Sequence, residues 1–268
     1  MNPLNSPAST TPTARSRSDA VSEATPKELG GSRKVSNPEV QQLFNRIAPV
    51  YDPLNDWLSL GQHWIWKGMA IASSRVKAGD TALDLCCGSG DLARLLAREV
   101  GPEGRVFGVD FSPIQLQVAR DRCKNSPTAI AWVEADALHL PFDPDSFDAA
   151  TMGYGLRNVA DISQCLRELH RVLKPGATVA ILDFHRSEQP WMRQFQQWYL
   201  DRVVVAIARQ FGLTEEYAYI SPSLDRFPVG AEQVALARQA GFDRPNHYTL
   251  AGGMMGILRA TKPHDPHL

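Results

Sequence analysis

From Leu83 to Ala93 the chain reads Leu83-Asp84-Leu85-Cys86-Cys87-Gly88-Ser89-Gly90-Asp91-Leu92-Ala93, an apolar segment that turns through two glycines directly into an amphipathic one. A strand, a glycine turn and a helix in immediate succession form the opening corner of a parallel α/β unit. At that corner Gly88 and Gly90 let the backbone approach a ligand where a Cβ would collide, and the new helix offers free N–H groups and the positive end of its dipole.

The rest of the chain continues the same grammar. Short β-rich runs at Thr81–Leu85, Arg105–Asp110, Ile130–Glu134, Phe147–Met152 and Thr178–Asp183 alternate with amphipathic stretches, which predicts a parallel sheet covered by helices on both faces. Gly79-Asp80 and Lys174-Pro175-Gly176 are turn signals before the first and fifth strands. Ala231–Ala240 reads as a helix stopped by Gly241, and residues around Asn246–Leu250 and Met254–Ala260 read as a final pair of strands, so seven strands are expected.

Before the sheet, Val40, Leu43, Phe44 and Ile47 recur at helical spacing, and Trp57, Trp64 and Trp66 cluster behind them. Residues 37–76 are read as an N-terminal helical cap. Residues 1–36 carry Ser, Thr, Pro and scattered charge with few large aliphatics, and are expected to be a disordered tail. Residues 37–262 are read as one catalytic domain and 263–268 as a short C-terminal tail. Within the domain, 190–228 is read as a substrate-covering segment. Its stretch from Pro190 to Gly212 reads as one long helix with Trp191, Phe195 and Trp198 on it; core packing accounts for such residues, and cover for a greasy substrate or contact with a membrane is the sharper alternative.

The 268 residues are 43% hydrophobic and 21% charged with a formal net charge of −1, so the chain has material for a full core and no basic field of the kind nucleic-acid binders carry. Cys86, Cys87, Cys123 and Cys165 show no C-x-x-C spacing, and no metal site is expected. No stretch is long and apolar enough to span a bilayer, so a cytoplasmic protein or one peripheral to a membrane is expected.

Twenty residues beyond Gly90, a second strand ends in Asp110, followed by Phe111; a carboxylate there is placed to hold the hydroxyls of a ribose. The glycines also satisfy G-x-G-x-x-A, which leaves a dinucleotide and S-adenosylmethionine both open. Asp84, four residues before Gly88, and Asp136-Ala137 at the end of a third strand shift the balance. Three carboxylates would repel a pyrophosphate but stabilise a cationic sulfonium and ammonium, with Asp136 accepting from an adenine amino group.

Those residues look like the successive cofactor motifs of class I S-adenosylmethionine-dependent methyltransferases, which implies a seven-stranded, mostly parallel Rossmann-like sheet with a reversed terminal strand. Tyr51-Asp52-Pro53-Leu54-Asn55-Asp56-Trp57-Leu58-Ser59-Leu60-Gly61-Gln62-His63-Trp64-Ile65-Trp66-Lys67 is similar to the signature of the ubiquinone and menaquinone C-methyltransferase family. Gly155-Leu156-Arg157-Asn158-Val159 and Arg171-Val172-Leu173-Lys174-Pro175-Gly176 match further family motifs, and the resemblance spans residues 38 to 262. Leu54 departs from a common methionine, and Gly153 from a serine that in relatives lies against the cofactor. Cys86 to Gly90 and Tyr219 to Pro228 look most like the branch from photosynthetic lineages, which methylates 2-phytyl-1,4-naphthoquinone.

The resemblance implies methyl transfer to a ring carbon of a hydrophobic, prenylated quinol, with S-adenosylmethionine held by Asp84, Gly88, Ser89, Gly90, Asp110, Phe111, Asp136, Ala137 and Gly153. It places Arg157, Asn158 and Tyr51 over the methyl end, where they are expected to face the ring oxygen. His63 is the rival, with a suitable intrinsic pKa, although a histidine packed among tryptophans explains it equally well. Demethylmenaquinol or a ubiquinone precursor is the alternative substrate, and a dinucleotide-dependent oxidoreductase the alternative class. A peripheral membrane contact and a homodimer are compatible with the sequence.

Overall fold

Along Thr81–Leu85, Ala82 belongs to one hydrophobic cluster while Leu83 and Leu85 belong to another, as the two-residue period of a strand buried on both faces requires. The structure, a computed structural model, describes residues 38–47, 59, 61–126, 128–187, 189–204, 206, 209 and 220–264. The expected tail at 1–36, Tyr51 and the segment from Tyr219 back to 210 lie outside the described residues.

The strands are β1 (Thr81–Leu85), β2 (Arg105–Asp110), β3 (Ile130–Glu134), β4 (Phe147–Gly153), β5 (Leu173–Phe184), β6 (Asp243–Leu250) and β7 (Met255–Thr261). They form one sheet in the order β3-β2-β1-β4-β5-β7-β6. The first five are parallel and β7 runs antiparallel to both β5 and β6. The sheet is thus the expected seven-stranded, mostly parallel one, and its strand order reverses between β1 and β4, where a ligand crevice opens beyond the carboxyl ends of the strands.

The described helices are α1 (Pro38–Ile47), α2 (His63–Ser74), α3 (Asp91–Val100), α4 (Pro113–Arg122), α5 (Ile162–Val172), α6 (Pro190–Trp198), α7 (Ile220–Arg226) and α8 (Gly230–Gln239). Helix starts follow local chemistry. Ser112 caps α4 by accepting from the Gln115 N–H, with Pro113 behind it, and Asp161 caps α5 by accepting from Gln164. One face of the sheet buries Leu83, Phe107, Val109, Met152 and Ile181 against Leu166 and Leu169 of α5, with Phe107, Phe142 and Phe147 meeting edge to face at 5.0–5.6 Å. The other face buries Ala82, Val106, Trp132 and Leu182 against Ile71 of α2 and Leu92 and Leu96 of α3.

Two elements depart from expectation. The fifth strand starts at Leu173 rather than Thr178, because Phe147 pairs with Leu173 and Ala149 with Thr178; the turn signal Lys174-Pro175-Gly176 is accommodated as an irregularity inside the strand, with Gly176 at φ +83°. The long helix expected from Pro190 ends its α-helical part at Trp198 and continues as a π-helical stretch, Tyr199–Val204.

Candidate functional site

The strand-end carboxylates fix the site first. Asp84, Asp110 and Asp136 stand at or close to the ends of three adjacent strands and border one open cavity.

Asp110 ties the glycine loop to β2. Its Oδ2 accepts from the Gly88 N–H at 2.8 Å and its Oδ1 from the Ser112 N–H at 2.9 Å. Burial pushes its carboxyl up to about 6 against the pull of those N–H bonds. Asp84 is fully buried; it accepts from the Ala93 N–H at 2.8 Å and from the Thr151 hydroxyl at 3.0 Å on β4. Burial pushes it up to about 7. Asp136 accepts from the Leu138 N–H at 3.0 Å, which fixes the loop after β3.

The glycines divide the labour. Gly88, at φ +52°, borders the cavity, and a Cβ there would find only Gln115 Oε1, 3.9 Å away, so the residue leaves an open cradle. Gly90, at φ +86°, does not border the cavity: a Cβ would come within 2.7 Å of the Trp132 ring. It packs at the start of α3 against that indole, as does Gly108, where a Cβ would lie 2.5 Å from the same ring. Ser89, Phe111, Ala137 and Gly153 all border the cavity. At Gly153 a Cβ would approach Leu92 Cδ1 to 2.8 Å, so a side chain there would require Leu92 to move.

Among the catalytic candidates, Asn158 borders the cavity and donates to the Tyr154 carbonyl at 3.0 Å. Arg157 does not border it. Its guanidinium is buried in an ion pair with Asp183, donates to the Tyr154 carbonyl at 3.0 Å and lies 4.9 Å from the centre of the Phe184 ring. Its backbone N–H also donates to Asp183, at 3.2 Å. The guanidinium thus pairs with a buried carboxylate of β5 and ties the loop after β4 to that strand. His63 is likewise away from the cavity and buried, with Nδ1 2.7 Å from the Ser59 hydroxyl. Tyr51 lies outside the described residues.

Lys67, Asp91 and Cys86 border the cavity and were given no role from the sequence. Cys86 sits at φ +55°, a left-handed geometry that turns the chain from β1 into the loop; all four cysteines are free thiols. Among the described residues the bordering charges are Asp84, Asp91, Asp110 and Asp136 against Lys67. This excess of carboxylate suits a cofactor that carries cationic groups on an adenosine and opposes a pyrophosphate, so the residues present fit S-adenosylmethionine.

Comparison with known proteins agrees with that chemistry. The model of the ubiE/COQ5 methyltransferase family matches residues 32–262. A Nostoc punctiforme protein named 2-phytyl-1,4-naphtoquinone methyltransferase is 66% identical over 226 residues, covering 84% of this chain and 98% of that one. A chloroplastic 2-phytyl-1,4-beta-naphthoquinone methyltransferase of Arabidopsis thaliana is 52% identical, covering 85% and 89%. Among solved structures, a SAM-dependent methyltransferase from Aquifex aeolicus superposes with a TM-score of 0.55 at 19% identity, covering 73% of this chain and 88% of that one. Phosphoethanolamine N-methyltransferase 2 of Haemonchus contortus, in complex with S-adenosyl-L-methionine, gives 0.60 at 17%, covering 85% and 61%.

Proposed function

Because the chain belongs to the ubiE/COQ5 methyltransferase family, we propose that it methylates a ring carbon of reduced 2-phytyl-1,4-naphthoquinone to give phylloquinol. That it is an S-adenosylmethionine-dependent methyltransferase follows from the family and from relatives matched over nearly their whole length. The observation that carries the choice of substrate is the 66% identity, over 98% of its length, to a protein named for that naphthoquinone.

S-adenosylmethionine supplies an electrophilic methyl group on a cationic sulfonium. When it is bound, Asp110 would accept from the ribose hydroxyls and Asp136 from the adenine amino group, Gly88 would admit the backbone to close range, and Asp84 would set negative charge against the cationic groups. Asn158 and Val159, which border the cavity in the loop that Arg157 ties to Asp183, would face the substrate. The ring attacks in its reduced form, since loss of a hydroxyl proton makes the neighbouring carbon enolate-like. The site's task is alignment, with a hydrogen bond from Asn158 to the ring oxygen as charge shifts. The hydroxyl proton passes to water that reaches the cavity through its open mouth.

The phytyl tail of such a substrate resides in lipid. No described helix is long and apolar enough to cross a membrane, and α6 supports peripheral contact instead. Trp191, Phe195 and Trp198 recur along one stripe of α6 and are 63%, 45% and 54% exposed, beside the exposed Arg193. Aromatic side chains with a nearby cation suit the boundary of an anionic bilayer.

Mass spectrometry of quinones from cells lacking the protein tests the assignment. The expected result is accumulation of 2-phytyl-1,4-naphthoquinone without its ring methyl group. A normal phylloquinone content, or accumulation of a polyprenyl quinone instead, would refute the choice of substrate.

A further inference from the structure

Three cations converge on one carboxylate at the start of α3. Asp91 Oδ2 accepts from Lys67 Nζ at 2.6 Å, Oδ1 accepts from Arg122 at 2.8 Å, and the Arg94 guanidinium lies 3.6 Å from Oδ1. Among the described residues the three cations thus share one carboxylate. The side chains of Arg94 and Arg122 are 31% and 27% exposed and are shared with solvent. Lys67 is only 5% exposed, and it alone of the three borders the cavity.

Its place along the cavity is set by the sheet. Asp110 and Asp136 follow β2 and β3, on one side of β1, so an adenosine held by them lies over that end. The amino-acid end of the same ligand must then lie over β1 and β4. Lys67 arrives there from α2, which packs on β4, β5 and α3. An α-carboxylate entering this cavity meets Asp84, Asp91, Asp110 and Asp136, and among the described residues Lys67 is the bordering cation that can receive it. The ammonium has three N–H donors, and the acceptor it reaches among the described residues is Asp91. Trp64, whose ring centre is 5.0 Å from Nζ, closes another side.

From this arrangement we infer that Lys67 binds the α-carboxylate of the cofactor's methionine moiety while keeping its pair with Asp91, so that one ammonium ties the cofactor to α2 and to the start of α3. The inference rests on S-adenosylmethionine being the cofactor.

Calorimetry on the full chain with S-adenosylhomocysteine and with 5′-methylthioadenosine tests it, because the second ligand has the same adenosine and thioether but lacks the amino-acid group. Binding of S-adenosylhomocysteine to the unaltered protein tests the cofactor reading separately. Lys67→Met is expected to weaken S-adenosylhomocysteine about 10- to 100-fold, as for loss of a charge-assisted hydrogen bond, and 5′-methylthioadenosine less than about threefold. Lys67→Arg is expected to recover part of the loss. Equal losses for both ligands would make Lys67 a strut between α2 and α3, and an unchanged S-adenosylhomocysteine affinity would place its charge elsewhere; either overturns the inference. The unaltered protein gives a second test free of any folding defect: decarboxylated S-adenosylhomocysteine is expected to bind at least about tenfold more weakly than the parent compound, and equal affinity contradicts the inference.

Discussion

Arg157 shows what a single residue's surroundings add to its sequence context. Its motif marks the loop after β4, but its partner Asp183 is 26 positions away on another strand, and no local pattern links the two. Removing the guanidinium leaves Asp183 buried without its counter-charge. Arg157→Ala is therefore expected to cost about 3–5 kcal/mol of unfolding free energy, measured by urea denaturation, with turnover per folded molecule reduced only modestly. Full stability with collapsed turnover would return Arg157 to the chemistry. Asp84, Asp110 and Asp136, by contrast, were legible, because strand-end position and spacing from the glycines are properties of the sequence itself. Their titration was not, since it depends on burial. Asp84 at about 7 and Asp110 at about 6 stand above their ordinary 3.8. Between about pH 4 and 7 the folded chain holds protons that the unfolded chain has shed, so these two groups lower stability as pH rises through that window. A cofactor that needs them ionised binds better over the upper part of it. Affinity for S-adenosylhomocysteine is expected to rise from pH 5 to 7.5, and Asp110→Asn to weaken binding about tenfold or more and flatten the rise. A flat calorimetric profile for the unaltered protein would contradict this role of the carboxylates.

Elements were read correctly where periodicity sufficed and misread where the third dimension intervened. β1 to β4 and the terminal pair follow from their apolar runs, yet Gly108 passed unnoticed in β2, since only the register that sets it opposite Trp132 reveals why it is glycine. Gly108→Ala would drive a methyl group into the indole and is expected to destabilise by about 1–3 kcal/mol, read as a lower urea midpoint; an unchanged midpoint would mean that Trp132 moves freely. On α6, hydrophobic spacing alone did not separate a buried face from an exposed one. The structure buries Gln196, which donates to the His185 carbonyl at 2.9 Å, and turns Trp191, Phe195 and Trp198 outward. Replacing these three aromatics with alanine is expected to weaken sedimentation with anionic phospholipid vesicles about tenfold or more while S-adenosylhomocysteine affinity stays constant. Undiminished vesicle binding would remove α6 from the membrane contact.

At the scale of the molecule, the sheet order places every proposed cofactor contact at one edge of the reversal between β1 and β4, and the helices before the sheet close its two ends. α1 reaches the adenosine side, where Gln41 donates to the Phe111 carbonyl and Asn45 accepts from the Ser112 hydroxyl, and α2 brings Lys67 to the other. That enclosure explains why a cap precedes the sheet, and why its signature residues were visible in the sequence without their individual tasks being so. The central claim is that this enclosure delivers a methyl group to the ring of a reduced phytyl naphthoquinone. Incubating the purified chain with isotopically labelled S-adenosylmethionine and 2-phytyl-1,4-naphthoquinone, with and without a reductant, measures it directly by mass spectrometry. The account predicts labelled phylloquinone in the reduced reaction and essentially none in the oxidised one; equal labelling of both, or label on neither, would contradict it.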